Sequence, residues 1–260
     1  MAESPRRILV TGGADGLGRA ICLNYVSSGA SEVVILDIDQ EKGEALEREN
    51  PAVTFHSFDL SSFEDINCLT GSFDTVVCNA GISACGNFRD TPWEKELKVM
   101  EINLFGHMRL IKALLQQHMI KDEGRLAFTI SASVFTPFPL AVAYASSKAA
   151  LDGFADALEP YLMPQKISVS RIYPGTMRTA HQQKYYSEMN PSTGANPDLV
   201  AEKTVRGIEK RKRRIYPDKM GRSFRIIARF LPWAMPRLAF RATKRYGEIL
   251  YPDNSTGSES

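Results

Sequence analysis

The sequence predicts an α/β fold built on a parallel sheet. Short β-branched apolar runs alternate with segments of helical period from the N-terminus onward, and a glycine-rich turn stands between the first run and the first helix. A chain of 260 residues suits one such domain with an appendage better than two large domains.

The elements follow in order. Arg7 to Thr11 reads as a buried strand, and Gly16 to Ser28 continues as a helix. Strands are expected again at Glu32–Leu36, Val53–Phe58, Thr75–Cys78, Leu126–Ile130 and Ile167–Ile172, with a last short one at Arg214–Tyr216. Helices are expected at Gln40–Glu49, Glu94–Met119, Tyr144–Leu162 and Pro197–Lys210. Strands joined through helices form βαβ units, which require parallel pairing. After Pro217 the pattern changes to arginines among large apolar residues, so the chain divides into a catalytic domain (1–220), a basic helical extension (221–251) and a disordered tail (252–260).

Cys22, Cys68, Cys78 and Cys85 form no CxxC pair and no ligand-like grouping with the four histidines, which argues against a zinc site or a disulfide framework. No metal is expected, and the setting expected is reducing and cytoplasmic. The apolar run after Arg6 and Arg7 is too short for a signal peptide or a membrane span. Charge is unevenly spread: residues 201–251 carry fifteen Lys/Arg against four acids, the first 200 residues seventeen against twenty-four. The basic run Lys210–Arg214 has no recognised nucleic-acid motif, so no nucleic-acid partner is expected.

The turn Thr11, Gly12, Gly13, Ala14, Asp15, Gly16, Leu17, Gly18 lets backbone N–H groups approach a pyrophosphate at a helix N-terminus. Asp37 ends the second strand about twenty residues on, where a carboxylate accepts from adenosine ribose hydroxyls and repels a 2′-phosphate. With no cation at Ile38 or in the turn, NAD is expected over NADP. Asp59, beside Leu60, either holds the adenine edge or caps a helix beginning near Ser61. Asn79, Ala80 and Gly81 close the fourth strand, where glycine permits close approach to the cofactor or simply a tight turn.

Tyr144 and Lys148 are four apart and share a helix face. Hydride transfer to a ketone needs a proton donor, and a nearby ammonium together with an oxidised nicotinamide favours the tyrosine phenolate. Ser131, or its neighbour Ser133, follows the fifth strand, where a hydroxyl can orient the substrate oxygen. Asn103 sits inside a helix, an unfavourable place unless its side chain serves a local network.

Taken together, the TGxxxGxG turn, Asp59, Asn79-Ala80-Gly81, Asn103, Ser131, the YxxxK pair and Pro174-Gly175 with Thr176 and Thr179 resemble the short-chain dehydrogenase/reductase family over residues 6 to 216. The resemblance implies a doubly wound, Rossmann-type sheet of about seven strands. It implies Tyr144 as acid/base, Lys148 as its activator and ribose anchor, Ser131 as carbonyl orienter and Asn103 as holder of a relay water. It also implies a homodimer or homotetramer formed through the helices at 94–119 and 144–162. Cys78, where the family often has a second asparagine, and the short stretch from Asp59 to Asp74 depart from the pattern.

Loops at the strand ends offer Phe88, Phe135, Phe138, Met177, Tyr185 and Tyr186, which suits a hydrophobic, lipid- or steroid-like secondary alcohol or ketone. The competing reading is a catalytically silent nucleotide sensor or scaffold on the same fold. In the extension, Arg222, Arg225 and Arg229 lie opposite Phe224, Ile227 and Leu231, and Arg237, Arg241 and Lys244 lie apart from Leu238, Ala242, Tyr246 and Ile249. Such helices pack on the core, pack on another subunit, or form a lid touching an anionic membrane through residues 221–250.

Overall fold

The computed structural model describes residues 6–62, 66–185 and 194–243. Seven strands form one sheet: β1 (Arg7–Thr11), β2 (Glu32–Asp37), β3 (Val53–Ser57), β4 (Phe73–Cys78), β5 (Ile120–Thr129), β6 (Ser168–Ile172) and β7 (Arg214–Ile215). Their order is β3-β2-β1-β4-β5-β6-β7, and each neighbouring pair is parallel. The chain moves outward from β1 to β3 and returns to lay β4 on the other side of β1. That reversal opens a crevice at the carboxyl ends of β1 and β4.

Successive strand residues face opposite sides of the sheet. Leu9, Val34, Leu36, Val76, Leu126 and Phe128 enter one buried cluster, and Ile8, Val10, Val33, Ile35, Val77 and Ala127 the other. Both faces are therefore covered, which is why the strands read as unbroken apolar runs. Helices α1 (Gly16–Ser27), α2 (Gln40–Glu49), α3 (Trp93–Met100), α4 (His107–Gln116), α5 (Val142–Leu162), α6 (Ala180–Tyr185) and α7 (Pro197–Glu209) accompany them, with α1 packed on α7 and α5 on α3.

Four features differ from the sequence-based expectation. The helix expected over 94–119 is divided by a π-helical segment, Glu101–Gly106, between α3 and α4. No helix follows Ser61 in the described residues before β4, where turns stand instead. β5 starts six residues early and shifts register against β4 between Phe73 and Thr75, with Glu123 in the left-handed region at φ 59°. The short α6 carried no clear period.

The extension forms α8 (Lys219–Phe230), a 3₁₀ turn (Pro232–Ala234) and α9 (Met235–Thr243). Pro232 and Pro236 both lie at element starts, where the missing N–H costs no hydrogen bond. Asp218 joins α8 to the domain: one oxygen accepts from Gly221 N at 2.9 Å, the other from Gly175 N at 2.7 Å. Lys244, Tyr246, Ile249 and the tail at 252–260 lie outside the described residues.

Candidate active site

The turn after β1 is shaped by what its glycines touch. Gly12 has φ +64°, and a Cβ there would stand 2.8 Å from the Ala80 Cα. A Cβ on Gly18 would lie 1.8 Å from the Gly12 carbonyl oxygen, so α1 starts directly against the turn. Asp15 caps α1 by accepting from Gly16 N at 2.6 Å, and Leu17 and Gly18 are buried behind it. Thr11 Oγ1 accepts from the backbone N–H groups of Asn79 at 2.9 Å and Ala80 at 3.0 Å, tying the ends of β1 and β4 together. Asn79 adds a bond from Nδ2 to the Gly12 carbonyl at 3.2 Å. Thr179, arriving from the loop after β6, stands 3.5 Å from where a Gly16 Cβ would be. The helix N-terminus and this loop thus face each other over the turn, an arrangement that fits a dinucleotide pyrophosphate.

Asp37 ends β2 and accepts from Ala14 N at 2.9 Å and Asp39 N at 3.1 Å, so the carboxylate also holds the glycine turn. Asp59 accepts from the amide and hydroxyl of Ser61 at 2.8 and 2.7 Å. Burial pushes its carboxyl up, but those bonds and the Lys98 charge outweigh it and hold Asp59 below the usual range. It caps a turn rather than a helix. Leu60 is buried, and its carbonyl is 2.6 Å from where a Gly106 Cβ would be.

One nearby cation went unnoticed in the sequence because it arrives from α2. Lys42 Nζ lies 2.7 Å from Asp15 and 3.2 Å from Asp39. Its hydrogen bonds to those two carboxylates raise its pKa above the ordinary lysine value. The Asp39-x-x-Lys42 spacing was the available signal.

Tyr144 and Lys148 lie one turn apart near the start of α5. Lys148 is buried, its Nζ donating to the Thr129 carbonyl at 2.9 Å and standing 5.9 Å from the Tyr144 ring centroid. Burial lowers its pKa to about 8. The Tyr144 phenol is pushed up by burial, with a hydrogen bond from the Ser131 side chain acting in the opposite direction. Burial thus favours the protonated phenol, and the expected phenolate rests on Lys148 together with an oxidised nicotinamide. Ser131 begins the 3₁₀ turn Ala132–Val134 and accepts from Ser133 N at 3.1 Å. Ser133 Oγ is buried without a described partner, so geometry favours Ser131 for the site.

Asn103 lies in the π-helical segment and is fully buried. Its Oδ1 accepts from Ile82 N at 2.8 Å, and its Nδ2 donates to Ile82 O at 2.9 Å and Ser147 Oγ at 3.0 Å. The side chain locks the loop after Gly81 to the helix that carries Tyr144. π-helical turns recur at functional sites because they re-aim a residue without ending the helix. A Cβ on Gly81 would stand 3.2 Å from Asn103 Oδ1 and 3.3 Å from Lys148 Nζ, so glycine keeps open the space these two groups border.

His107, four residues on, carries no motif that marks it in the sequence. It is buried, with Nδ1 3.2 Å from the Asn103 carbonyl and Nε2 3.1 Å from Thr11 Oγ1. Its signal was a histidine on the apolar side of a helix, easily read as ordinary core.

Pro174 accepts from Ala132 N at 2.8 Å, while Gly175 and Thr176 meet Met220 of α8. Of the pocket positions, Phe88 is exposed, whereas Phe135 packs against the stacked pair Tyr173 and Tyr216, at ring distances of 5.0 and 6.1 Å. Phe135 is thus wall rather than open pocket. Met177 bridges to Ala195 and Tyr185 ends α6; Tyr186 lies outside the described residues. A cavity of about 490 Å³ opens beside Ile82, lined by Cys85, Pro92 and Lys95 among others. Within the basic run before β7, Arg211 donates to the Gly124 and Lys166 carbonyls, and Arg213 pairs with Glu159 and Asp156. No helix among the described residues is long and apolar enough to cross a membrane.

Residues 6–190 match the family model for short chain dehydrogenase. Dehydrogenase/reductase SDR family member 7B of Xenopus tropicalis is 27% identical over 235 residues, covering 80% of this chain and 75% of that protein. Retinol dehydrogenase 8 of Homo sapiens is 28% identical over 213 residues, covering 77% and 68% respectively. A solved short chain dehydrogenase from Shigella flexneri, complexed with NADP, is 26% identical with a TM-score of 0.72, over 82% of this chain and 96% of that one.

Proposed function

The chain belongs to the short-chain dehydrogenase family of oxidoreductases, and we propose that it interconverts a hydrophobic secondary alcohol and its ketone with NAD as hydride carrier. The observation that carries this reading is the grouping of the Ser131 hydroxyl, the Tyr144 phenol and the buried Lys148 ammonium beside Gly81 and Asn103.

When bound, nicotinamide supplies or accepts the hydride. The protein supplies the proton. Because burial keeps Tyr144 protonated, its hydroxyl is the acid toward the oxygen of a ketone being reduced, and takes that proton back in the oxidative direction. Ser131 donates to the same oxygen and fixes its distance from the phenol. With a pKa of about 8, Lys148 is an ammonium at neutral pH, where its charge offsets negative charge forming on the tyrosine oxygen. Asn103 is a positioning residue through its side chain: it holds Ile82 and, through Ser147, the first turn of α5.

NAD is preferred in this reading because Asp37 places a carboxylate at the end of β2, and Lys42, which reaches the turn from α2, is occupied by Asp15 and Asp39. The NADP in the Shigella relative makes this a sharp distinction. An apolar alcohol agrees with the loop aromatics and with the retinol substrate in the name of one relative. Exposed Trp93, Leu97, Phe105 and Tyr161 on α3, the π-helical segment and α5 support a homodimer or homotetramer formed through those helices.

The test is nicotinamide absorbance over a panel of medium and long aliphatic, steroidal and acyl substrates, with Tyr144→Phe in parallel. Turnover with at least one apolar alcohol, lost about a hundredfold or more in Tyr144→Phe with cofactor binding intact, is expected. Nucleotide binding without turnover over the whole panel would instead establish a sensor or scaffold.

A further inference from the structure

From Lys219 to Arg241 the chain carries six cations and no carboxylate. The same stretch holds seven of the fifteen large apolar side chains exposed among the described residues. We propose that α8, the 3₁₀ turn and α9 form a docking surface for an anionic lipid bilayer. This goes beyond the oxidoreductase reading and stands independently of turnover.

Of the face that the sequence period marks as apolar, Phe224 and Ile227 are half-buried and only Leu231 remains open. Gly221, Phe224, Ile227 and Ala228 turn α8 inward, and α8 packs against the 3₁₀ turn after Ser131. The outward face carries Ile226, Phe230 and Trp233, at 52, 73 and 66% exposure, with Arg222 and Arg229 alongside. α9 repeats the division: Met235 and Ala239 are buried, while Arg237, Leu238 and Arg241 are exposed. Arg237 stands 6.0 Å from the Trp233 ring centroid, so cation and aromatic belong to one continuous patch.

Charge decides the occupant. Just before this stretch, Arg206 pairs with Glu202 and Arg213 with Glu159 and Asp156. Among the described residues, Arg222, Arg229, Arg237 and Arg241 form no ion pair with a carboxylate. An apolar strip edged by unneutralised arginines complements a surface that is negative outside and hydrocarbon within. Within the described residues both helices are too short to span it. The contact reaches the active site directly, because Met220 at the start of α8 lies against Gly175 and Asp218 holds the Gly175 amide. An apolar alcohol leaving the bilayer would meet the loop after β6.

The full chain is tested by co-sedimentation with phosphatidylglycerol/phosphatidylcholine vesicles and with phosphatidylcholine alone, alongside size-exclusion chromatography. Binding to anionic vesicles that weakens with salt is expected, with little on the neutral ones. Arg222→Gln/Arg229→Gln lowers that binding about tenfold or more, and Phe230→Ser/Trp233→Ser does likewise while nucleotide binding persists. No anionic-vesicle binding by the folded wild-type chain overturns the proposal. So does a wild-type oligomer that dissociates in Phe230→Ser/Trp233→Ser without any vesicle binding, which would make the face a contact between copies.

Discussion

Thr11 Oγ1 and His107 Nε2 lie 3.1 Å apart in the core, joining the end of β1 to the helix that carries Asn103. Thr11 Oγ1 already accepts from two backbone N–H groups, so its own proton goes to Nε2, and His107 donates from Nδ1 to the Asn103 carbonyl. The histidine is thereby neutral, and burial, aided by the Lys148 charge, lowers its pKa from the ordinary 6.5 to about 4.

The first prediction concerns acid stability. The unfolded chain takes up this proton below pH 6.5 and the folded chain only near pH 4, so the stabilisation is complete above 6.5 and is lost as pH falls toward 4. The loss reaches about 2 kcal/mol by pH 5. His107→Phe should cost about 1–3 kcal/mol at pH 7.5, with the Thr11 hydroxyl and Asn103 carbonyl left unpaired, and should flatten that acid slope. Urea unfolding at the two pH values measures both, and an unchanged slope in the variant would assign the acid sensitivity elsewhere.

Lys148 sets stability against function. Its pKa of about 8 against the ordinary 10.5 means that it costs stability progressively as pH falls from 10.5 through 8. Lys148→Met should therefore be no more than about 1 kcal/mol less stable than wild type at pH 7, despite losing the bond to Thr129 O, while turnover and nucleotide affinity both fall. In the wild type, kcat/KM should decline above about pH 8 as the ammonium is lost. A flat profile to pH 10 would remove Lys148 from the proton chemistry.

Cofactor choice rests on charge at the end of β2. Asp37→Asn retains an oxygen for Ala14 N but removes the repulsion toward a 2′-phosphate. The ratio of kcat/KM for NAD over NADP should drop about tenfold or more, chiefly through a better NADP value. A wild-type preference for NADP would show that Lys42 is released from Asp15 and Asp39 when the cofactor binds.

Gly18 has no room for a methyl group. Its Cβ would sit 1.8 Å from a backbone carbonyl, which cannot swing aside as a side chain can. Gly18→Ala should lose nucleotide binding, with the melting temperature lowered by several degrees. Calorimetry and a fluorescence titration with NADH would show it, and normal affinity would mean that α1 can slide away from the turn.

The glycine turn, the parallel strands and the YxxxK pair were legible in the sequence because each is written in local terms: backbone freedom, a run length, a one-turn spacing. Tertiary structure decided what depends on distant segments meeting. Nothing near Lys42 announces Asp15, and nothing near His107 announces Thr11, ninety-six residues away. Of Ser131 and Ser133, two hydroxyls of equal chemistry, it is Ser131 that the 3₁₀ turn brings to Tyr144, which no local pattern announces. The π-helical segment at Asn103 likewise has no signature of its own, since a wide turn uses the same helix-forming residues and is stabilised by contacts such as Gly106 against Leu60. In α8 the period identified a face of Phe224, Ile227 and Leu231, but only packing showed that Phe224 and Ile227 lie inward while Leu231 stays exposed with Ile226, Phe230 and Trp233. Amphipathicity records how side chains divide around a helix axis, whereas the side that is buried depends on where the rest of the chain stands.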